Sequence, residues 1–317
     1  MKFLKILLSL VAIIIVIAIA GTSYIHFSGI PRYEAVKPDY HVTVTPEKLV
    51  RGKKLTLTLC ALCHTNLNTG LLTGQRMLDV PAEFGKIYSQ NITQDKTYGI
   101  GSWTDGELLY LLRTGIKRDG QYSPPYMAKL GHMADEDIES IIAFLRSDDQ
   151  LVAAAAVPDT VCEPSFLTKF LCRVAFKPLK MPTQKIAMPD TANAVELGRY
   201  LTFNFDCYAC HSADFKTMNV EHPELSVGYM GGGNKPLDME GNVVLTSNIT
   251  PDQETGIGNW TEEQFVKALK YGLVDGKPAL RYPMVPFVHL TDSEAKAIFA
   301  YLKTIPPIKN KVERSGL

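Results

Sequence analysis

Apolar residues run almost unbroken from Ile6 to Ala20 and continue through Tyr24 to Ile25, with Lys2 and Lys5 ahead of them. At about 1.5 Å of rise per residue, these 20 positions predict a helix matching a hydrocarbon core about 30 Å thick. Ala18-Ile19-Ala20 has the small-x-small form of a cleavage site. The length of the run and the Tyr24, His26, Phe27 group at its far end instead predict an uncleaved anchor over residues 1–28. Lysines on the short side place the remaining chain outside the cytoplasm.

Beyond that run the pattern changes to helical periods with clear punctuation. Thr45-Pro46-Glu47 and Asn193 start helices. Thr104 to Glu107 and Thr261 to Gln264 have capping-box form, and Gly115 and Gly272 end the helices that follow. Ile138, Ile141, Ile142 and Leu145 line one face of a helix from about Asp135, and Ile298, Tyr301 and Leu302 do so after Thr291. Little reads as strand, so the predicted fold is all-α with long ordered loops.

These elements occur twice. Asn91-Ile92-Thr93-Gln94-Asp95 and Gly99-Ile100-Gly101-Ser102-Trp103-Thr104 recur as Asn248-Ile249-Thr250-Pro251-Asp252 and Gly256-Ile257-Gly258-Asn259-Trp260-Thr261, 157 positions later. A second repeated motif, Cys60-Ala61-Leu62-Cys63-His64 and Cys207-Tyr208-Ala209-Cys210-His211, is spaced by 147, which assigns ten extra residues to the second copy between Ser212 and Asn248. Two homologous domains over residues 45–150 and 192–305, joined by a connector over 151–191, are the economical reading of 317 residues.

Cys-x-x-Cys-His is the attachment pattern of a c-type haem: two thiols add to the porphyrin vinyl groups, and the histidine supplies a proximal nitrogen to iron. Two copies predict two covalent haem c groups, on Cys60, Cys63 and His64 and on Cys207, Cys210 and His211. The repeat also selects sixth ligands. Met127 and Met284 occupy equivalent places in proline-bearing loops, and a thioether raises the reduction potential of iron. Met133 aligns with Leu290 and would break the symmetry, whereas His132 and His289 offer a bis-histidine alternative. Trp103 and Trp260, the only two tryptophans, and the side chains of Asn91 and Asn248 are candidates to bond a haem propionate, with core packing the alternative for the indoles.

Lys plus Arg equals Asp plus Glu at 33 each, and nothing resembles a nucleic-acid module, so no field argues for that class of partner. Of six cysteines, Cys162 and Cys172 remain after the two motifs. In an oxidising compartment they are expected to pair as a disulfide within the connector.

The doubled Cys-x-x-Cys-His with Asn-Ile-Thr-x-Asp and Gly-Ile-Gly-x-Trp resembles the membrane-anchored multihaem cytochrome c subunits of periplasmic alcohol, sugar and sugar-acid dehydrogenases, over about Thr45 to Leu302. Such subunits commonly carry three haem domains; here there are two. The resemblance implies two tandem class I cytochrome c domains, His64 with Met127 on one iron and His211 with Met284 on the other. It implies a dihaem electron carrier rather than an enzyme, accepting electrons from a periplasmic dehydrogenase and passing them to a quinone, a small cytochrome or a terminal oxidase. The rival reading is a dihaem peroxidase-like enzyme with one open iron, which the matched methionines disfavour. A haem sensor or thiosulfate-oxidising cytochrome would need an open or cysteine-ligated iron.

Overall fold

A computed structural model describes residues 2–276 and 278–313. It is helix-rich. Helix α1 (Lys2–Ser28) projects with none of its residues buried, and it is long and apolar enough to cross a membrane. The body begins with α2 (Pro46–Leu59) and the single turn α3 (Ala61–His64), followed by α4 (Asp105–Thr114) and α5 (Asp135–Leu145). After α6 (Phe166–Val174) come α7 (Ala194–Asn204), the short α8 (Cys207–His211), α9 (Glu262–Tyr271) and α10 (Asp292–Leu302).

The helix ends follow the local chemistry. Thr45, Thr104, Asn193, Thr261 and Thr291 are N-caps whose side chains accept backbone N–H groups. Gly115 (φ 80°) and Gly272 (φ 69°) close α4 and α9 in the left-handed conformation. The sequence did not announce α6, which turns part of the connector into a helix. Among the described residues, strand is confined to a two-residue antiparallel pair, β1 (Gly85–Lys86) with β2 (Glu163–Pro164), pairing Gly85 with Pro164 and Lys86 with Glu163.

Two helical groups share one internal arrangement. Helix α2 packs along α5, and α7 along α10. At each crossing a glycine lets backbones touch: a Cβ on Gly52 would enter the Ser140 carbonyl, and one on Gly198 the Ala297 carbonyl. Helix α9 adds to the α10 side and α4 to the α5 side. Leu55, Leu108, Ile138, Ile141, Ile142 and Phe144 of the first group and Leu201, Phe265, Leu269, Ile298 and Leu302 of the second belong to one continuous core. Each such side chain contributes about 1.5–3 kcal/mol by leaving water.

Polar contacts also join the groups. Asp137 on α5 is wholly buried and pairs with Arg51 of α2, and it accepts a 2.6 Å bond from the Tyr200 hydroxyl of α7. The same hydroxyl accepts from the Ala134 amide at 3.1 Å. Lys54 of α2 pairs with Glu294 of α10. Burial alone would raise the Glu294 carboxyl, but Lys54 and the Thr291 cap outweigh it and hold it below its ordinary range. His132 donates from Nε2 to the Val220 carbonyl at 2.7 Å, tying the first group to the loop that follows α8.

The expected disulfide is absent. Cys162 and Cys172 are free thiols. Cys162 lies against the Tyr88 backbone, where it accepts from the amide at 3.3 Å and donates to the carbonyl at 3.2 Å. Cys172, on the inner face of α6, fills a separate small core with Ile30 and Tyr122. A pair ten residues apart across the start of a helix is thus divided between two packing sites.

Candidate functional site

Both Cys-x-x-Cys-His motifs sit where a long helix gives way to a short one. Cys60 is at once the C-cap of α2 and the N-cap of α3, which carries Cys63 and His64. In the second copy one additional residue intervenes: Asp206 adopts φ 57° and turns the chain from α7 into α8, which carries Cys207, Cys210 and His211.

The two histidines are held alike. His64 Nδ1 lies 2.7 Å from the Gln90 carbonyl, and His211 Nδ1 lies 2.8 Å from the Ser247 carbonyl. A carbonyl only accepts, so Nδ1 carries the proton and Nε2 is the nitrogen with a lone pair for a metal. Burial, the largest influence, lowers the His64 pKa and favours the neutral ring that ligation requires.

Gln90 and Ser247 immediately precede Asn91 and Asn248, which explains the repeated Asn-Ile-Thr. Asn91 Oδ1 accepts from the Thr93 amide (2.9 Å) and hydroxyl (2.7 Å), and its Nδ2 donates to the Ala155 and Val157 carbonyls, both at 2.9 Å. Asn248 repeats the inward bonds to Thr250 at 2.9 and 2.7 Å, while its Nδ2 donates to the Ile308 carbonyl at 2.7 Å and Thr255 Oγ1 at 3.0 Å. The expectation of propionate donors therefore needs correction for both asparagines: their amide protons are engaged by protein, and they brace the carbonyls that orient the histidines.

One continuous cavity of about 1210 Å³ is lined by both motifs, and by Met127, Met284, Trp103, Trp260, Asn91 and Asn248. That exceeds the roughly 300–1,000 Å³ of an ordinary small-molecule site. Most of the cavity's other walls are apolar, including Leu112, Leu130, Phe265, Leu269, Phe287 and Ile298. The six motif residues, both loop methionines, both tryptophans and both asparagines thus line one space, and His132 and His289 are not among its walls. Met127 takes a 3.5 Å contact from the Ser123 hydroxyl, and Lys129 donates at 2.8 Å to both the Pro124 and Met127 carbonyls, pinning that loop. Burial pushes the Lys129 ammonium down to about 7. The Met284 loop carries Pro283 and Pro286 instead, and Tyr282 beside it hydrogen-bonds Asp79 from the first half of the chain. Asp79 and Tyr282 were not legible as site residues, because their contact joins distant segments of the chain.

The four motif cysteines are unattached thiols in this structure, standing in for the thioethers of a c-type site. Burial pushes Cys60, Cys207 and Cys210 up to about 12 and Cys63 up to about 11. A Cys-x-x-Cys redox centre needs the opposite, a lowered thiol pKa. Among the described residues no three His, Cys, Asp or Glu side chains gather as a chelating set for a bare ion. Two buried thiols, a neutral histidine and a large apolar cavity fit a porphyrin that is held by addition.

Residues 195–306, spanning α7 to α10 and the second motif, match the Cytochrome c family. The chain carries a cytochrome c domain. This cytochrome is 31% identical over 264 residues to the alcohol dehydrogenase (quinone), cytochrome c subunit of Gluconacetobacter polyoxogenes, covering 78% of this chain and 54% of that protein. It is 28% identical over 316 residues to the fructose dehydrogenase cytochrome subunit of Gluconobacter japonicus, covering 94% and 59%. It is also 28% identical over 273 residues to a diheme cytochrome c-type protein of Cereibacter sphaeroides, covering 79% and 83%. The cytochrome spans a little over half the length of the two dehydrogenase subunits.

Proposed function

We propose that this cytochrome is a dihaem electron carrier, built as two tandem class I domains over about 45–150 and 192–305, which takes electrons from a periplasmic dehydrogenase and delivers them to a quinone, a small cytochrome or a terminal oxidase. The observation that carries the reading is the single cavity bounded by both attachment motifs and both loop methionines. The relatives named as cytochrome c subunits of alcohol and fructose dehydrogenases support the donor, and the diheme relative supports the haem count. In this reading α1 anchors the protein in the cytoplasmic membrane, with the body on the periplasmic side.

When bound, haem c supplies a one-electron couple. Cys60 and Cys63 would hold one group and Cys207 and Cys210 the other, through thioethers. His64 and His211, oriented by Gln90 and Ser247, would present Nε2, and Met127 and Met284 would supply sulfur and a higher potential. Apolar walls exclude water and favour the less charged state. Trp103 and Trp260, which line the cavity, would donate their indole N–H to a propionate. No side chain in this arrangement acts on an organic substrate.

Purified, denatured protein should yield two covalently bound haems per chain in a pyridine haemochrome assay. Met127→Ala and Met284→Ala should each remove about half of the ferric sulfur-to-iron absorption band and lower one potential while both pigments stay attached. One haem per chain, or a band unchanged in either variant, would overturn the corresponding assignment.

A further inference from the structure

Helix α6 has two faces that ask for different surroundings. Thr168 and Cys172 point inward and are fully buried. Phe166, Phe170 and Val174, at i, i+4 and i+8, point outward and are 41, 39 and 57% exposed, with Leu167 beside them. The Phe166 and Phe170 rings stack on each other at 6.4 Å.

The place of this stripe is set by its contact with the far end of α1. Lys169 donates to the His26 carbonyl at 2.9 Å, Arg173 reaches Ser28 Oγ, and the Arg173 guanidinium lies 5.6 Å from the Tyr24 ring centroid. Tyr24 and His26 mark the level at which the apolar run of α1 ends, the depth of lipid headgroups around a spanning helix. From Val161 to Lys180 the chain carries four bases, Lys169, Arg173, Lys177 and Lys180, against one acid, Glu163, which pairs with Lys86.

We propose that α6 is an interfacial helix that lies on the outer leaflet beside α1, with Phe166, Leu167, Phe170 and Val174 among the acyl chains and its bases on anionic phospholipid headgroups. The proposal rests on the reading of α1 as a membrane span. An amphipathic helix of this kind buries its apolar face about 5–10 Å into the interface, and basic side chains at its edges add attraction to acidic lipid. It would fix the tilt of the body, which a single spanning helix leaves free, and so hold one edge of the haem-bearing cavity toward the membrane plane.

The test uses the full-length haem-loaded protein, in a Cys162→Ser background, reconstituted in phosphatidylethanolamine–phosphatidylglycerol vesicles. Nitroxides placed by Ile14→Cys, Phe170→Cys and Leu225→Cys report collisions with oxygen, which concentrates in lipid, against a water-soluble nickel chelate. The expected result is strong oxygen preference at 14, an intermediate preference at 170 that falls toward the Leu225 value when phosphatidylcholine replaces phosphatidylglycerol, and nickel preference at 225. Oxygen preference at 14 with a Leu225-like signal at 170 would overturn the interfacial helix and leave the anchor standing. Nickel preference at 14 would overturn the anchor and the proposal together. A label at 170 shielded from both reagents would assign the face to a protein partner and overturn the proposal as well.

Discussion

Asn91 and Asn248 make the same two bonds inward, to the amide and hydroxyl of the threonine two positions on, and different bonds outward. Asn91 grips the connector at Ala155 and Val157, whereas Asn248 grips the segment after α10 at Ile308. In each copy the clasp closes on the chain that leaves the last helix, and so ties the carbonyl behind each motif histidine to the end of its own group. The repeat therefore encodes a local device whose partner is whatever stretch follows. The copies differ where they meet: Arg51 of α2 serves the buried Asp137 and, through Tyr200, the second group, while the matching position on α7 is the apolar Leu197.

That asymmetry can be broken first. Arg51→Met leaves Asp137 buried without its cation and is expected to cost about 4 kcal/mol, seen as a lower urea midpoint; a loss below about 1 kcal/mol would mean that Tyr200 alone satisfies the carboxylate. Next come the helix crossings, which should behave alike. Gly52→Val and Gly198→Val each force a side chain into a facing backbone carbonyl, and about 3 kcal/mol is expected from overpacking. If one variant were neutral by thermal melting, the two crossings would not be equivalent.

The clasps sharpen the comparison further. Asn91→Ala and Asn248→Ala each strip the two inward acceptor bonds and the outward donor bonds of the side-chain amide near buried threonines, for about 2 kcal/mol apiece. Each should also loosen the histidine of its own copy alone, measurable as broadening of one haem's resonances. The smallest effect belongs to Asp206, the inserted residue of the second copy. Burial raises its carboxyl from 3.8 to about 7, against opposing contributions from Tyr208 and Lys129. A raised folded-state pKa means that the folded protein holds the proton more tightly, so this contribution favours folding below about 4 and is lost as pH rises through about 7. Asp206→Asn, which tolerates the same left-handed turn, should flatten the stability–pH curve over that window; curves of identical slope would show that Asp206 does not titrate there.

Helix ends were legible because capping chemistry operates within four residues: Thr104, Thr261 and Asn193 start helices in the structure as their spacing predicts. The motif cysteines and histidines were equally plain, since each motif is five consecutive residues and recurs intact. The asparagines were found but misread. Their position beside the cavity was visible through the repeat, but not their consumption by carbonyls about 60 residues away. Helix α6 was missed because its outward apolar stripe and buried Cys172 read as mixed composition until the packing against α1 and Ile30 separated the two faces.

From the chain alone came the long apolar N-terminal helix, the doubled Cys-x-x-Cys-His motif, the matched methionines and the order of the helices, all of them products of contacts between near neighbours or of an internal copy. Tertiary structure alone decided that both motifs open onto one cavity, that His132 bonds Val220, that Cys162 and Cys172 stay apart, and that Asp137 is shared by Arg51 and Tyr200. The physical reason is range. Dihedral preference, capping and periodicity act over a turn or two, whereas a buried polar group takes its partner from whichever distant segment the packed core brings within about 3 Å.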